Sequence, residues 1–220
     1  MKRENTPITI ENIVDTHKKR RGEIRQRLRE FSAIGKSGTD VNFLEEMVFC
    51  FFTGGCSARM GLNSLEAIKP ILLTADQPEL ANALVGHHRY PNARANYVAT
   101  SRDFLREQYG LKLRKKLQSF DCRLERRDWL VREKGIKGLG YKEASHYLRN
   151  IGYKGYAILD KHVLNCLTEL EIIDDPKPPN TRLRYLNTED KLRKLTELTG
   201  IDFDELDLVL WSMKTGIILK

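Results

Sequence analysis

Residues 130–165 read LVREKGIKGLGYKEASHYLRNIGYKGYAILDKHVLN. A helical pattern runs to Lys134, Gly135 and Gly138-Leu139-Gly140 interrupt it, and a helix resumes at about 141–151. Two helices joined by so short a glycine turn form a hairpin. Glycine allows positive φ and close approach of another backbone, and it leaves the N–H groups at the start of the second helix uncovered. Such a turn is an anion site. With Lys137 beside Gly138 and Gly140, a phosphodiester is a natural ligand, while an ordinary helical corner is the plain alternative.

Outward from this stretch the pattern stays helical. Residues 9–33 place Ile10, Ile13, Val14, Ile24, Leu28 and Phe31 on one face, and Gly35-Lys36-Ser37-Gly38 is expected to break that helix. Asp40 is the expected N-cap of a core helix over 40–52, where Phe43, Leu44, Met47, Val48 and Phe51 follow helical spacing. Thr53-Gly54-Gly55 stops it. Further helices are predicted at 57–69, ended by Pro70, then at about 76–85, 92–109, 111–119, 121–134, 187–199 and 203–214, with a proline-rich loop at 174–180. No stretch shows a convincing strand period, so the fold class is all-α.

The 220 residues are 40 % hydrophobic and 31 % charged, enough apolar material for a core and too much for a disordered chain. No apolar run approaches the roughly 18 residues of a membrane span. Met1-Lys2-Arg3-Glu4-Asn5 leads into no apolar segment, so no secretory signal is expected, and the expected compartment is the cytoplasm, at the nucleoid. Cys50, Cys56, Cys122 and Cys166 include no CxxC pair, and their gaps suit neither a zinc site nor an iron–sulfur cluster, so buried free thiols are expected. The net charge is +8. Residues 1–40 carry ten Lys/Arg against six Asp/Glu, and residues 101–154 carry fifteen against seven. A basic surface favours polyanions, nucleic acid above all, although charge alone leaves a solvated helical face open.

Two side chains stand out chemically. Lys142 falls on the first turn of the helix after the glycines, where a helix N-terminus disfavours a protonated amine; a deprotonated lysine is a nucleophile. Asp160 follows the apolar triplet Ala157-Ile158-Leu159 and is either a helix cap or a catalytic carboxylate. His162 stands two residues on, placed for capping or for a phosphate. His146, four residues after Lys142, shares its helix face and either lines a pocket or sits in the core.

Together these parts resemble the HhH-GPD DNA glycosylases. Gly138-Leu139-Gly140-Tyr141-Lys142-Glu143-Ala144 is the hairpin and Asp160 the motif aspartate, while Ile158-Leu159 stands where that superfamily has Gly-Pro. The run GLGYKEASHYLRNIGY and the ending WSMKTGIILK narrow the resemblance, over about residues 9–220, to the archaeal-type (type-2) 8-oxoguanine DNA glycosylase/AP lyases. The resemblance implies a single glycosylase unit over 1–220, made of two helical lobes with the active site between them and the hairpin and catalytic aspartate at about 130–165. It implies Lys142 as Schiff-base nucleophile and Asp160 as its carboxylate partner. It assigns base recognition to Asp207, Trp211, His146 and the terminal Lys220, and DNA-backbone contacts to Lys137, Gly138, Gly140 and His162.

The implied partner is double-stranded DNA containing 8-oxoguanine, acted on by a monomer with no membrane partner. No cofactor is implied beyond a monovalent cation that hairpin carbonyls can hold. Lack of a C-terminal four-cysteine cluster argues against the endonuclease III and adenine-glycosylase branches. Gly55 cannot wedge into the gap left by a flipped base, which leaves Arg59 or a neighbour for that task. The alternatives are a glycosylase/lyase for another oxidised base and a non-enzymatic hairpin module that only binds DNA. If the basic stretches meet phosphates, non-specific DNA affinity falls steeply with salt, with a log–log slope of about −0.9 per phosphate neutralised. A titration at several salt concentrations checks this, and a flat response refutes the basic-face reading.

Overall fold

Apolar residues at helical spacing need a partner face, and the chain meets that need with eleven α-helices among the described residues. The computed structural model describes residues 8–220, so Met1 to Asn5, read above for a leader, lie outside it. In chain order the helices are α1 (Ile10–Ser37), α2 (Asp40–Thr53), α3 (Ala58–Ile68), α4 (Gln77–Leu84), α5 (Pro91–Tyr109), α6 (Leu113–Gln118), α7 (Arg123–Arg132), α8 (Tyr141–Asn150), α9 (Lys161–Glu169), α10 (Arg182–Thr199) and α11 (Phe203–Thr215). No described residue forms a strand, in keeping with the all-α expectation. No described helix is long and apolar enough to cross a membrane. The chain divides into two compact units: a hairpin unit, Ala33–Gly152, and a terminal unit made of the described residues through Ser32 and Tyr153–Lys220.

In the hairpin unit α2 is the central element. Phe43, Leu44 and every residue from Glu46 to Thr53 are buried, as befits a helix that is apolar nearly all round. Helices α3, α5, α6 and α8 pack on it, α4 lies along α5, and α7 pairs with α8. The cap of α2 is Thr39 rather than Asp40. Thr39 Oγ1 accepts the Asn42 N–H at 3.2 Å and Asn42 Oδ1 accepts the Thr39 N–H at 3.0 Å, a reciprocal box. Asp40 instead accepts the backbone N–H of Arg114 at 2.9 Å.

Helix α1 runs through Gly35 to Ser37, four residues past its expected end at residue 33 and into the expected break. Gly35 is there for proximity, because a Cβ would lie 2.4 Å from the Ile151 carbonyl oxygen. The guanidinium of Arg114 collects the carbonyls that end the helix. Nη1 donates to Gly35 at 2.7 Å and to Lys36 at 3.1 Å, and Nη2 donates to Gly38. A cation at a helix C-terminus is favourable, and here it turns the chain into α2. Before the hairpin, Lys116 Nζ sits 4.6–5.4 Å from the ring centroids of Tyr109, Phe120 and Trp129, tying α5, α6 and α7 together.

The terminal unit gathers Ile13, Ile24 and Phe31 of α1, Val163, Leu164 and Leu167 of α9, Leu192 and Leu195 of α10, and Leu206 and Val209 of α11 into its core. Helix α9 begins directly after Asp160, where no helix is predicted above, although Val163, Leu164, Cys166 and Leu167 fall on one helical face. Helix α10 starts at Arg182, five residues before the expected point, because Thr181 caps it by accepting the Arg184 N–H at 3.3 Å. The proline-rich stretch 174–180 is non-helical, as expected. Cys50 and Cys166 are buried free thiols. Cys56 is half-buried and Cys122 exposed, so burial holds for only two of the four; Cys122 sits just before α7 at a surface turn.

One buried carboxylate ties α11 to α1. Glu205, 6 % exposed, contacts His17 Nε2 and accepts Arg25 Nε at 2.7 Å. Burial pushes its carboxyl up, but the hydrogen bonds to His17 and Arg25 outweigh that and hold it below the usual glutamate range. A carboxylate depressed on folding contributes stability above its unfolded pKa and loses it as pH falls through the folded value. Glu205→Gln therefore lowers stability at pH 7, by about 1–3 kcal/mol. The deficit shrinks as pH drops below the ordinary glutamate value of 4.5. Thermal melts of both proteins from pH 7 to 3 check this; a deficit that stays constant down to pH 3 contradicts it.

Candidate active site

The hairpin turn is seated on one face of α5, formed by Tyr97, Ser101 and Phe104. A Cβ at Gly135 would fall 2.1 Å from Cγ of Phe104, and one at Gly138 would fall 2.5 Å from the Tyr97 ring. Gly138 also takes φ +76°, a value that side chains disfavour. Ser101 Oγ accepts the Lys137 N–H at 2.9 Å. With the turn held from that side, Gly138 and Gly140 are exposed on the other. The N–H groups of Gly138, Leu139 and Gly140 meet no acceptor among the described residues. Lys137 is exposed beside them. The turn thus has the open amides and adjacent cation of an anion site.

Lys142 is the second residue of α8, one turn from those amides. Its side chain is 24 % exposed, and Nζ donates to Glu143 Oε1 at 3.3 Å. Sequence reasoning passed over Glu143 because adjacent helical residues ordinarily point apart. Here Glu143 folds back toward the helix start, where a Cβ at residue 140 would stand 3.1 Å from its Oε2. Glycine at 140 leaves that space. The available signal was Glu at the third helical position, a residue type that often turns back to the cap.

Deeper in the unit Glu46 Oε2 accepts Asn150 Nδ2 at 3.0 Å, and Cys50 is fully buried. Burial pushes the Cys50 thiol well above its usual value; Glu46 adds to the rise and the Lys142 charge opposes it. The thiol is therefore inert packing that feels the lysine's field. His146 is 6 % exposed and meets Phe49 of α2 edge-on at 5.5 Å, on the core side of α8. Arg59 is exposed on the first turn of α3, after the exposed Gly55.

In the terminal unit Asp160 is the N-cap of α9, its Oδ1 accepting the N–H groups of His162 and Val163 at 2.9 Å each. These bonds fix the carboxylate and leave Oδ2 for another task, so capping and chemistry are compatible roles. His162 is half-buried and edge-on to Trp211, with ring centroids 6.5 Å apart. Trp211 is half-buried on α11, and Asp207, one turn before it, is 7 % exposed. Lys220 is half-buried beyond the left-handed Gly216 that ends α11. Lys137, Gly138, Gly140, Lys142 and His146 thus belong to one unit, and Asp160, His162, Asp207, Trp211 and Lys220 to the other.

A family model described as 8-oxoguanine DNA glycosylase matches residues 24–201. An 8-oxoguanine DNA glycosylase/AP lyase of Korarchaeum cryptofilum is 40 % identical over 198 residues, covering 90 % of each chain. One of Methanocaldococcus jannaschii is 35 % identical over 90 % of this chain and 91 % of its own. Among solved structures, the Methanocaldococcus jannaschii 8-oxoguanine glycosylase/lyase in complex with a 15mer DNA containing 8-oxoguanine superimposes with a TM-score of 0.87 at 33 % identity, over 96 % of this chain and 99 % of that one. The 8-oxoguanine DNA glycosylase of Thermotoga maritima gives 0.86 at 33 % identity, over 96 % and 98 %. On the hairpin, the capping aspartate and these matches along most of its length, the chain belongs to the 8-oxoguanine DNA glycosylase family.

Proposed function

We propose that this chain excises 8-oxoguanine from double-stranded DNA and then cleaves the strand at the resulting site, with Lys142 as nucleophile and Asp160 as the carboxylate that serves it. The observation that carries the residue assignment is the placing of Lys142: partly exposed, on the first turn of α8, directly after a turn whose amides are open to a phosphate. A target base is out of reach inside the stack and must be flipped out. The turn amides of Gly138 and Gly140, with Lys137 and His162, hold the backbone of the strand.

The unprotonated amine of Lys142 forms a bond to C1′ while the bond from C1′ to the base breaks, and the base leaves with a proton. Ring opening gives an imine between Nζ and C1′. Loss of a C2′ proton then expels the 3′ phosphate, which nicks the strand. The carboxylate of Asp160 stabilises the positive charge that develops on the sugar. Its Oδ1 is already fixed by the α9 cap, so it acts from a preset position. A monovalent cation held by the hairpin carbonyls would add positive charge beside the bound phosphate.

8-Oxoguanine carries a proton on N7 that guanine lacks, so an acceptor aimed there selects the lesion. Trp211 offers a face for stacking, and Asp207 stands one turn away on α11. Lys220 and His146 complete the recognition set. The enzyme acts as a monomer in the cytoplasm, on nucleoid DNA.

Borohydride trapping tests the assignment on duplexes carrying 8-oxoguanine, an abasic site, thymine glycol or guanine. Wild type gives a covalent adduct on 8-oxoguanine and little on thymine glycol. Lys142→Gln gives none yet still binds the lesion duplex. Asp160→Asn slows base release by about a hundredfold or more, within the range of a lost general acid–base or electrostatic group. Full trapping by Lys142→Gln, or wild-type release by Asp160→Asn, refutes the respective role; an adduct on the abasic site alone leaves a lyase without this glycosylase substrate.

A further inference from the structure

The segment leading into Asp160 poses a problem of hydrogen bonding. Residues 156–159 are non-helical, yet Tyr156, Ala157, Ile158 and Leu159 are all buried. Their peptide groups are out of water and need partners from the protein. Ile158 C=O takes the Asp160 N–H at 2.9 Å, a local turn. Further partners for the strap and for Gly155 before it come from one face of α10, at positions 185, 189 and 193, spaced four residues apart, and from α11.

Tyr185 Oη donates to the Ala157 carbonyl at 2.7 Å and accepts the Leu159 N–H at 3.4 Å. Glu189 Oε2 accepts the Ala157 N–H at 3.2 Å. Arg193 Nη2 donates to the Gly155 carbonyl at 3.4 Å, and Asp204 of α11 accepts the Gly155 N–H at 2.7 Å. Tyr185 and Glu189 are themselves 1 % and 0 % exposed, so neither is a surface group that met the strap by chance. The departure at Ile158-Leu159 gives this arrangement its sense. A proline at 159 would bring no N–H, whereas Leu159 brings one into a dry place, and the tyrosine hydroxyl receives it.

We infer that Tyr185 and Glu189 are the positioning residues of Asp160: they fix the height and register of the buried strap 156–159 on α10, and so fix where the Asp160 carboxylate stands when base release begins. The inference rests on the catalytic reading of Asp160 above. Neither residue touches DNA in this scheme. Their effect passes through the backbone into the cap of α9, and a catalytic group displaced by about an ångström loses up to a hundredfold in rate.

Single-turnover excision of 8-oxoguanine, measured well below the melting temperature, tests this. Tyr185→Phe keeps the ring and removes both strap bonds. It is expected to slow excision about ten- to a hundredfold while its affinity for the lesion duplex, measured in a Lys142→Gln background, stays within about twofold. Glu189→Leu is slowed similarly, and Glu189→Gln, which keeps an acceptor for the Ala157 N–H, recovers most of that loss. The deciding readout is a double-mutant cycle. In an Asp160→Asn background, Tyr185→Phe costs little further rate if it acts through Asp160; a merely structural role adds its full cost there. Wild-type excision by Tyr185→Phe, or full additivity of the two substitutions with a slow Asp160→Asn, overturns the inference alone. A wild-type rate for Asp160→Asn removes Asp160 from the chemistry and this inference with it.

Discussion

A peptide group taken out of water has to be given a partner, and one left open to water can be given a ligand. The hairpin turn of this chain is built on that distinction. On its inner side α5 fills every approach: Phe104 lies under Gly135, Tyr97 under Gly138, and Ser101 takes the Lys137 N–H. On its outer side the amides of Gly138 to Gly140 are left open, immediately before the helix that carries Lys142. Holding the turn from behind is what lets its front stay unsatisfied without loss of order. An alanine at 135 or 138 would have to displace an aromatic ring of α5 before any effect on phosphate binding arose.

The strap before Asp160 obeys the opposite half of the same rule. Nothing in it is exposed enough to be wetted, so α10 supplies a hydroxyl and a carboxylate at intervals of one helical turn. Asp160 then ends the strap by capping α9, which satisfies two of that helix's N-terminal donors with a single oxygen. The carboxylate is therefore held twice, by the strap behind it and by the helix ahead. A charged group held in this way undergoes little reorganisation when the sugar becomes positive, and small reorganisation is the source of electrostatic catalysis.

Much of this is legible in the amino-acid sequence itself. The apolar spacing of Phe43, Leu44, Met47 and Val48 marked α2 as the core helix, and Gly138-Leu139-Gly140 with Lys142 marked the hairpin. What escaped reading depends on partners distant in sequence or on a choice between near-equivalent neighbours. Thr39 and Asp40 are both good caps, and Arg114, seventy-four residues away, takes Asp40 and leaves Thr39 for the helix. Gly35 looks like a breaker, yet it lies within α1 because Ile151 comes too close for any side chain. Helix α9 is short; Val163, Leu164, Cys166 and Leu167 do follow helical spacing, but they come directly after the buried apolar run 156–159, which blurs where the helix begins.

The site residues divide along the same line. Lys142 and Asp160 stand in local motifs, and motifs can be read. Glu143 was hidden by the rule that sequential helical neighbours diverge, a rule that fails at the first turn, where a third-position glutamate bends back over a glycine cap. Tyr185 and Glu189 lie twenty-five and twenty-nine residues beyond Asp160 and carry no motif of their own. Their one trace in the sequence is indirect: Ile158-Leu159 puts an N–H at 159 where a proline has none, and a buried N–H without a neighbour to take it implies an acceptor elsewhere in the fold. A buried N–H with no local acceptor thus specifies a hydrogen bond that the rest of the chain must supply.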